Sequence, residues 1–131
     1  MFDEVFGQLE HKYNFYKYEN VNLFGKDNKV KIVVENDETN TVLDDQQNNY
    51  KKYEKYINEN KEKIIDLIKQ YFLDVYNTKI NIYKEIKPLS AYFARDRSWG
   101  VLFDTKIDEE NGFAIFIKDE KLHIGTQDMC I

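Results

Sequence analysis

A helical repeat of apolar residues in the middle of the chain places the tightest constraint on the fold. Between residues 46 and 76 these side chains recur every three or four residues, at Tyr53, Ile57, Ile64, Leu67, Ile68, Tyr71, Phe72, Val75 and Tyr76. Asp44 or Asp45 can cap the start of this helix. A continuous helix of this length measures roughly 45 Å, which exceeds the width of a compact domain of this size. It must either overhang the body or bend, and Asn58-Glu59-Asn60, where the apolar stripe lapses, is the expected weak point.

The residues before the helix predict β-strands. Alternating β-branched and aromatic residues occupy positions 13–18, 21–24 and 30–34. Between the last two runs lies Gly25-Lys26-Asp27-Asn28-Lys29, in which glycine, aspartate and asparagine favour a turn. Residues 21–35 are therefore expected to form a β-hairpin.

The residues after the helix predict further extended structure. Positions 79–86 alternate through Ile80 and Ile82, which indicates a strand or extended segment that ends before Pro88. Three short β-runs follow at 99–107, 112–118 and 121–124, separated by Asn111-Gly112 and by Asp119-Glu120. We expect these three runs to form an antiparallel meander.

Together these elements predict one α+β domain over residues 1–131. Its antiparallel sheet, built from the N-terminal hairpin and the C-terminal three-stranded meander, packs against one long helix that bends or overhangs. The predicted core comprises Trp99, Leu102, Phe103, Phe113, Ile115 and Ile117 on the sheet and Ile64, Ile68, Phe72 and Val75 on the helix. Leu102 has the opposite strand parity to Trp99, so its burial requires a bulge or two covered faces. We also expect the C-terminal run, residues 125–131, to pack back on the domain.

Composition narrows the classes of partner and compartment. The 131 residues carry 24 acidic and 19 basic side chains, a formal net charge of -5 that disfavours a nucleic-acid partner. Ten tyrosines and nine phenylalanines supply a core, so we expect folding to need neither a metal ion nor an organic cofactor. The single cysteine, Cys130, indicates a reducing compartment, and the absence of a leader or a long apolar run predicts a cytoplasmic protein without a membrane partner.

Two polar groups are candidates for a site. Arg95, Arg97 and Trp99 combine the residues typical of interface anchors, although the arginines could simply form a loop salt bridge with Asp96. The acidic run contains Asp104, Asp108 and Glu110, and carboxylates four residues apart on a strand would share a face. Such a pair could serve acid–base chemistry or bind a hard cation, whereas the structural interpretation is a solvated turn. No catalytic or metal-ligating residue is predicted, and the predicted binding residues are Arg95, Arg97, Trp99, Asp104, Asp108, Glu110 and Asp128.

Two motifs together resemble a bacterial family of small domains of unknown function. They are Leu23-Phe24-Gly25-Lys26 and Ile124-Gly125-Thr126-Gln127-Asp128, supported by the β-runs between residues 99 and 115. The resemblance covers most of the chain in order and is most specific in the C-terminal third. Asn111 departs from the family pattern, in which histidine often precedes the glycine, and this departure counts against catalysis.

The resemblance implies no reaction, because the family has none assigned. By analogy, acidic domains of this size occur beside bacterial toxins as non-catalytic immunity proteins, and acidic charge would steer such a protein onto a basic toxin. We therefore expect a cytoplasmic protein-binding domain that neutralises a toxin domain. The alternative is a small enzyme or cation-binding module that uses Asp104, Asp108 and Asp128.

Overall fold

Helices cover one face of a mostly antiparallel sheet in the structure, a computed structural model that describes residues 1–127. The helices are α1 (Asp44–Glu59), α2 (Lys61–Tyr76) and α3 (Ile82–Glu85). The strands are β1 (Phe2–Asp3), β2 (Gly7–Gln8), β3 (Glu10–His11), β4 (Phe15–Leu23), β5 (Lys26–Val34), β6 (Ile86–Phe93), β7 (Trp99–Thr105), β8 (Phe113–Lys118) and β9 (Lys121–Gly125). The predicted α+β class is confirmed.

The sheet is larger than predicted. Among the described residues, seven strands follow in the order β3-β4-β5-β6-β7-β8-β9, while β1 and β2 pair separately. Every neighbouring pair is antiparallel except β5 and β6. The predicted sheet, a hairpin plus a three-stranded meander on one helix, therefore has too few strands. Strand β6 was not predicted, and it joins the hairpin to the C-terminal strands in one sheet.

The predicted long helix is two helices. Asn60 separates α1 from α2 with φ −105° and ψ 19°, values outside the α-helical range. Its backbone N–H and its side-chain amide both donate to the Tyr56 carbonyl, at 3.0 and 2.9 Å. The interruption falls at the predicted weak point, and it lets Ile57 and Ile64 on either side bury in the same core.

The segment over residues 79–86, predicted as a strand or extended segment, instead contains α3. The Asn81 side chain caps this helix by accepting a hydrogen bond from the Tyr83 N–H at 3.2 Å. Strand β6 begins only at Ile86 and continues through Pro88, where a strand was expected to have ended. The register shifts between Pro88 and Ser90, and such a bulge accommodates a residue that lacks an N–H.

The β4–β5 hairpin is tighter than expected. Leu23 pairs with Lys26, so the connection consists of Phe24 and Gly25 alone, with φ of 54° and 80°. Two positive φ values in a two-residue loop are typical of the turn that matches strand twist. Residues 26–29, predicted as a loop, belong to β5.

The core follows the prediction with one exception. Trp99, Leu102, Phe103, Phe113, Ile115, Ile64, Ile68 and Phe72 are buried and Ile117 is partly buried. Leu102 faces away from the helices, as its parity requires, between Ser90 and Ala114. Val75 is 57% exposed, so its predicted burial is wrong. In the last turn of α2, Tyr76 packs on the body instead, stacked on Phe72.

The predicted packing of the C-terminal run falls mostly on residues 128–131, which lie outside the described part of the chain. Within the described part, Gln127 donates from Nε2 to the Phe103 carbonyl at 2.9 Å. No helix there is both long enough and apolar enough to cross a membrane.

Candidate functional site

A cavity of about 740 Å³ opens between the first turns of α1 and one end of strands β7, β8 and β9. We call it the α1 pocket. Its charged lining consists of Asp45, Asp96, Asp119, Glu120, Lys52 and Arg97, and its aromatic lining of Tyr56 and Trp99. Two of the predicted site residues, Arg97 and Trp99, are thereby brought together. Four carboxylates against two cations make the pocket acidic.

The start of α1 is fixed on the sheet by Gln46, which is fully buried. Its Nε2 donates to the carbonyls of Glu35 and Phe93, at 2.8 and 3.1 Å, and its Oε1 accepts from the Leu43 N–H at 2.8 Å. The helix is therefore capped through Gln46 and Leu43 rather than by Asp44 or Asp45. The Asp45 carboxylate therefore does not cap the helix and instead lines the pocket, where it pairs with Arg97.

Trp99 forms the aromatic wall of the pocket. Only 5% of its surface is exposed, because its ring meets Tyr56 edge to face at 5.6 Å and Tyr53 at 6.1 Å. Such contacts fix ring orientation as well as burying apolar area. Trp99, the first residue of β7, is thereby held between the sheet and α1.

The Asp96–Arg97 turn forms the rim beside Trp99. Arg97 has φ 76°, and its carbonyl accepts from Asn49 Nδ2 at 3.0 Å. Its side chain is 81% exposed and pairs through Nε with Asp45 at 3.1 Å. Asp96 is not held by either arginine, so the expected loop salt bridge is wrong. It accepts hydrogen bonds from the Ser98 hydroxyl and N–H, and these bonds lower the pKa of the Asp96 carboxyl.

Asp119 and Glu120 form the opposite rim, in the predicted turn between β8 and β9. They connect the paired residues Lys118 and Lys121, with φ of 52° and 63°. The left-handed conformation costs a non-glycine residue about 1 to 2 kcal/mol. Within the described part of the chain, neither carboxylate makes a hydrogen bond or an ion pair. The strained turn therefore presents two carboxylates that have no structural role of their own.

Arg95 lies away from the pocket, although the sequence grouped it with Arg97. Its Nε pairs with Asp37 at 3.1 Å, and its Nη1 donates to the Thr41 carbonyl at 2.6 Å. Hydrogen bonds from Thr39 and the charge of Arg95 hold the pKa of Asp37 below its usual range. Arg95 thus fastens the loop between β5 and α1.

The acidic run lies at the far end of β7 from the pocket, and its members are not on a common strand face. Strand β7 ends at Thr105, so Asp104 is exposed on the strand whereas Asp108 belongs to the following turn. Asp108 accepts from the Tyr76 hydroxyl at 2.6 Å and from the Asn111 N–H at 3.1 Å, and both bonds lower its pKa. Glu110 is exposed in the same turn, and Asp128 lies outside the described residues. Among residues 1–127, no three His, Cys, Asp or Glu side chains are grouped so as to hold a metal ion.

The sequence analysis missed most of the pocket, namely Asp45, Lys52, Tyr56, Asp119 and Glu120. One signal was present. Two acidic residues occupy a two-residue hairpin turn, where asparagine and glycine are the residues that tolerate positive φ. Asp45 gave no such signal, because an acidic residue in the first turn of a helix is explained by the helix itself.

Comparisons with known proteins gave no relative: no protein-family model, no curated protein and no solved structure matches this chain. The resemblance to a bacterial family of small domains therefore stays a prediction.

Proposed function

We propose that the chain is a non-catalytic, cytoplasmic protein-binding domain that acts as a bacterial immunity protein, and that its α1 pocket receives a basic side chain of a toxin domain. The observation that carries this proposal is the strained Asp119–Glu120 turn on the rim of an aromatic-walled cavity. Its two carboxylates are placed at a cost in backbone energy and make no hydrogen bond or ion pair with any of residues 1–127.

The lining of the pocket suits an arginine or lysine side chain. Carboxylates on opposite rims, at Asp45 and at Asp119 and Glu120, can pair with its charge, while Tyr56 and Trp99 can pack against its apolar stem. Cations also bind favourably against tyrosine and tryptophan rings. Tryptophan, tyrosine and arginine are enriched among the residues that dominate binding energy at protein interfaces.

The exposed Arg97–Asp45 ion pair can open to admit such a group. Both side chains are about half exposed or more, and pairs of this kind contribute only about 0 to 1 kcal/mol. Asp45 can therefore exchange Arg97 for the partner's cation, leaving the Arg97 guanidinium to meet a partner carboxylate. The net charge of -5 favours rapid encounter with a basic partner.

The test is protection of a bacterial host against each gene product encoded in the same operon as this chain. We expect one of them to arrest growth and the chain to restore it. Asp119→Lys combined with Glu120→Lys should abolish protection. Glu62→Lys combined with Asp66→Lys, which changes the charge equally on the exposed side of α2, should retain it. No toxic neighbour, or equal protection by both double variants, would overturn the proposal.

A further inference from the structure

The face of the sheet opposite the helices carries a row of apolar and aromatic residues that crosses six strands. Strand register places these residues directly opposite one another from β4 to β9: Tyr16, Val33, Tyr92, Gly100, Phe116 and His123. Each is next in sequence to a core residue, such as Phe15, Val34 or Phe93, and therefore lies on the opposite face of the sheet. We call this surface the open face.

The three helices of the described residues pack on the other side of the sheet, so none of them covers the open face. Tyr53 of α1 contacts Phe93 and Trp99, Phe72 of α2 contacts Phe113, and Ile82 of α3 belongs to the same core cluster. On the open face Tyr18 is 56% exposed, and Tyr16, Val33, Tyr92 and Phe116 are half-buried. A contiguous partly exposed aromatic row of this kind marks an interaction surface.

The charge of the open face is opposite to that of the whole chain. Strand parity assigns to it five lysines and three carboxylates: Lys29, Lys31, Lys87, Lys118, Lys121, Glu10, Asp27 and Asp104. Glu35, the residue after β5, adds a fourth carboxylate, which accepts from the Tyr92 hydroxyl at 3.1 Å. Lys118 and Lys121 are directly opposite each other across β8 and β9. Like charges in that position destabilise a sheet, and an anionic partner would relieve this repulsion.

The aromatic rings are arranged for a protein partner rather than for stacked bases. Lys31 Nζ lies over the Tyr16 ring at 4.7 Å and Lys29 Nζ over the Tyr18 ring at 5.5 Å. Phe116 stacks on His123 at 5.2 Å. Each of these rings already has one face occupied, whereas single-stranded nucleic acids bind by stacking bases on aromatic faces.

We propose that the open face binds an acidic segment of a protein, with apolar side chains on the aromatic row and carboxylates at the lysine pairs on either side. The pairs are Lys29 with Lys31 on β5 and Lys118 with Lys121 on the β8–β9 hairpin. Strands β5 and β8 are three spacings apart, about 14 Å, and the register offsets Lys31 from Lys118 by four residues along the strands, about 13 Å, so these two lysines lie about 19 Å apart. A segment with about four apolar residues between two acidic ends of three residues each spans this distance when extended. Lys118 and Lys121 flank the Asp119–Glu120 rim of the α1 pocket, but Lys29 and Lys31 lie three strands away and the net charge of the open face is opposite to that of the pocket. An acidic segment would not enter the acidic pocket, so this proposal does not depend on the proposed function.

The test uses a fluorescein-labelled peptide, Asp-Glu-Asp-Leu-Phe-Val-Leu-Asp-Glu-Asp, titrated with the full chain and followed by fluorescence anisotropy. We expect binding that weakens at least about tenfold in Lys29→Glu with Lys31→Glu, and likewise in Lys118→Glu with Lys121→Glu. Lys51→Glu with Lys63→Glu places the same charges on the exposed sides of α1 and α2 and should change affinity less than about twofold. Circular dichroism checks that each variant is folded.

Three results would overturn the proposal. Equal binding of a peptide with lysine at every acidic position would show that charge plays no part. Equal loss of binding in the helix-side control would show that the open face is not the site. Tighter binding of an oligouridylate than of the acidic peptide, lost in the open-face variants, would make the surface a nucleic-acid site.

Discussion

Tyr56 and Trp99 meet edge to face on the wall of the α1 pocket, with ring centroids 5.6 Å apart and ring planes at 89°. Because Trp99 is the only tryptophan in the sequence, its fluorescence reports directly on this contact. Replacing Tyr56 by alanine should expose the indole, shift its emission to longer wavelength and increase quenching by acrylamide. The same change at Tyr13, which is 70% exposed, should leave the spectrum unchanged. An unaltered emission maximum in Tyr56→Ala would contradict the described wall.

The face of α2 that packs on the sheet is tested by two substitutions one turn apart. Phe72→Ala should lower the free energy of unfolding by about 3 to 5 kcal/mol, because the ring is fully buried against Phe113. Val75→Ala removes an exposed side chain and should change it by less than about 0.5 kcal/mol. Chemical denaturation measures both. Similar losses at the two positions would mean that the helix is rotated relative to this description.

Gly112 lies where a side chain has no room. Its φ is 56°, and an added Cβ would lie 2.5 Å from the Phe103 carbonyl oxygen and against the Gln127 amide. Gly7 also has a positive φ, but nothing lies within 4 Å of the corresponding position. Gly112→Ala should therefore destabilise the chain by about 1 to 3 kcal/mol more than Gly7→Ala in denaturant unfolding. Equal losses would show that backbone strain alone decides both effects.

The Asp96 turn should make stability depend on pH in acid. Hydrogen bonds from Ser98 lower the pKa of the Asp96 carboxyl in the folded state. Near the ordinary aspartate pKa of about 3.9, the unfolded chain therefore binds more protons than the folded chain does. This contribution is present above that pKa and is lost as the pH falls through the lower, folded-state pKa. The substitution Asp96→Asn keeps an acceptor oxygen at this position but removes the titration.

The measurement is urea unfolding of the natural chain and of Asp96→Asn from about pH 6 to about pH 2. The stability advantage of the natural chain should shrink below about pH 4 and disappear at the acid end. A difference that is constant across this range would show that the Asp96 charge contributes nothing.

Local patterns in the sequence predicted the elements whose structure is decided locally. The stripe of Ile64, Ile68 and Phe72 on α2 follows from burial of one helix face, and the short apolar runs of β7 and β8 are bounded by turn residues; a sequence displays both patterns directly. The weak point near Asn60 was also visible. Whether it bends a helix or ends one depends on a single residue's dihedral angles, which spacing does not determine.

Non-local placement was not predictable in the same way. Strand β6 lies parallel to β5, its partner more than fifty residues earlier, and Pro88 suggested that extended structure had stopped. The α1 pocket combines residues near positions 45, 97 and 120 that no local pattern relates. Residue type pointed to Arg97 and Trp99 of the pocket, but it pointed equally to Arg95, which instead holds the loop between β5 and α1.

The central claim, that the Asp119–Glu120 turn is strained for binding, predicts opposite effects of one variant on stability and on affinity. Asp119→Asn with Glu120→Gly installs residues that tolerate positive φ, and should raise the free energy of unfolding by about 1 kcal/mol. It also removes two carboxylates from the pocket. The control variant, Glu62→Gln with Asp66→Asn, removes two carboxylates from the exposed side of α2 instead.

The deciding measurement is isothermal titration of the toxin partner, obtained from the operon, into the natural chain and these two variants. The account predicts that Asp119→Asn with Glu120→Gly binds at least about tenfold more weakly although it is more stable, and that the α2 control binds as the natural chain does. Undiminished affinity in the more stable variant would contradict the account.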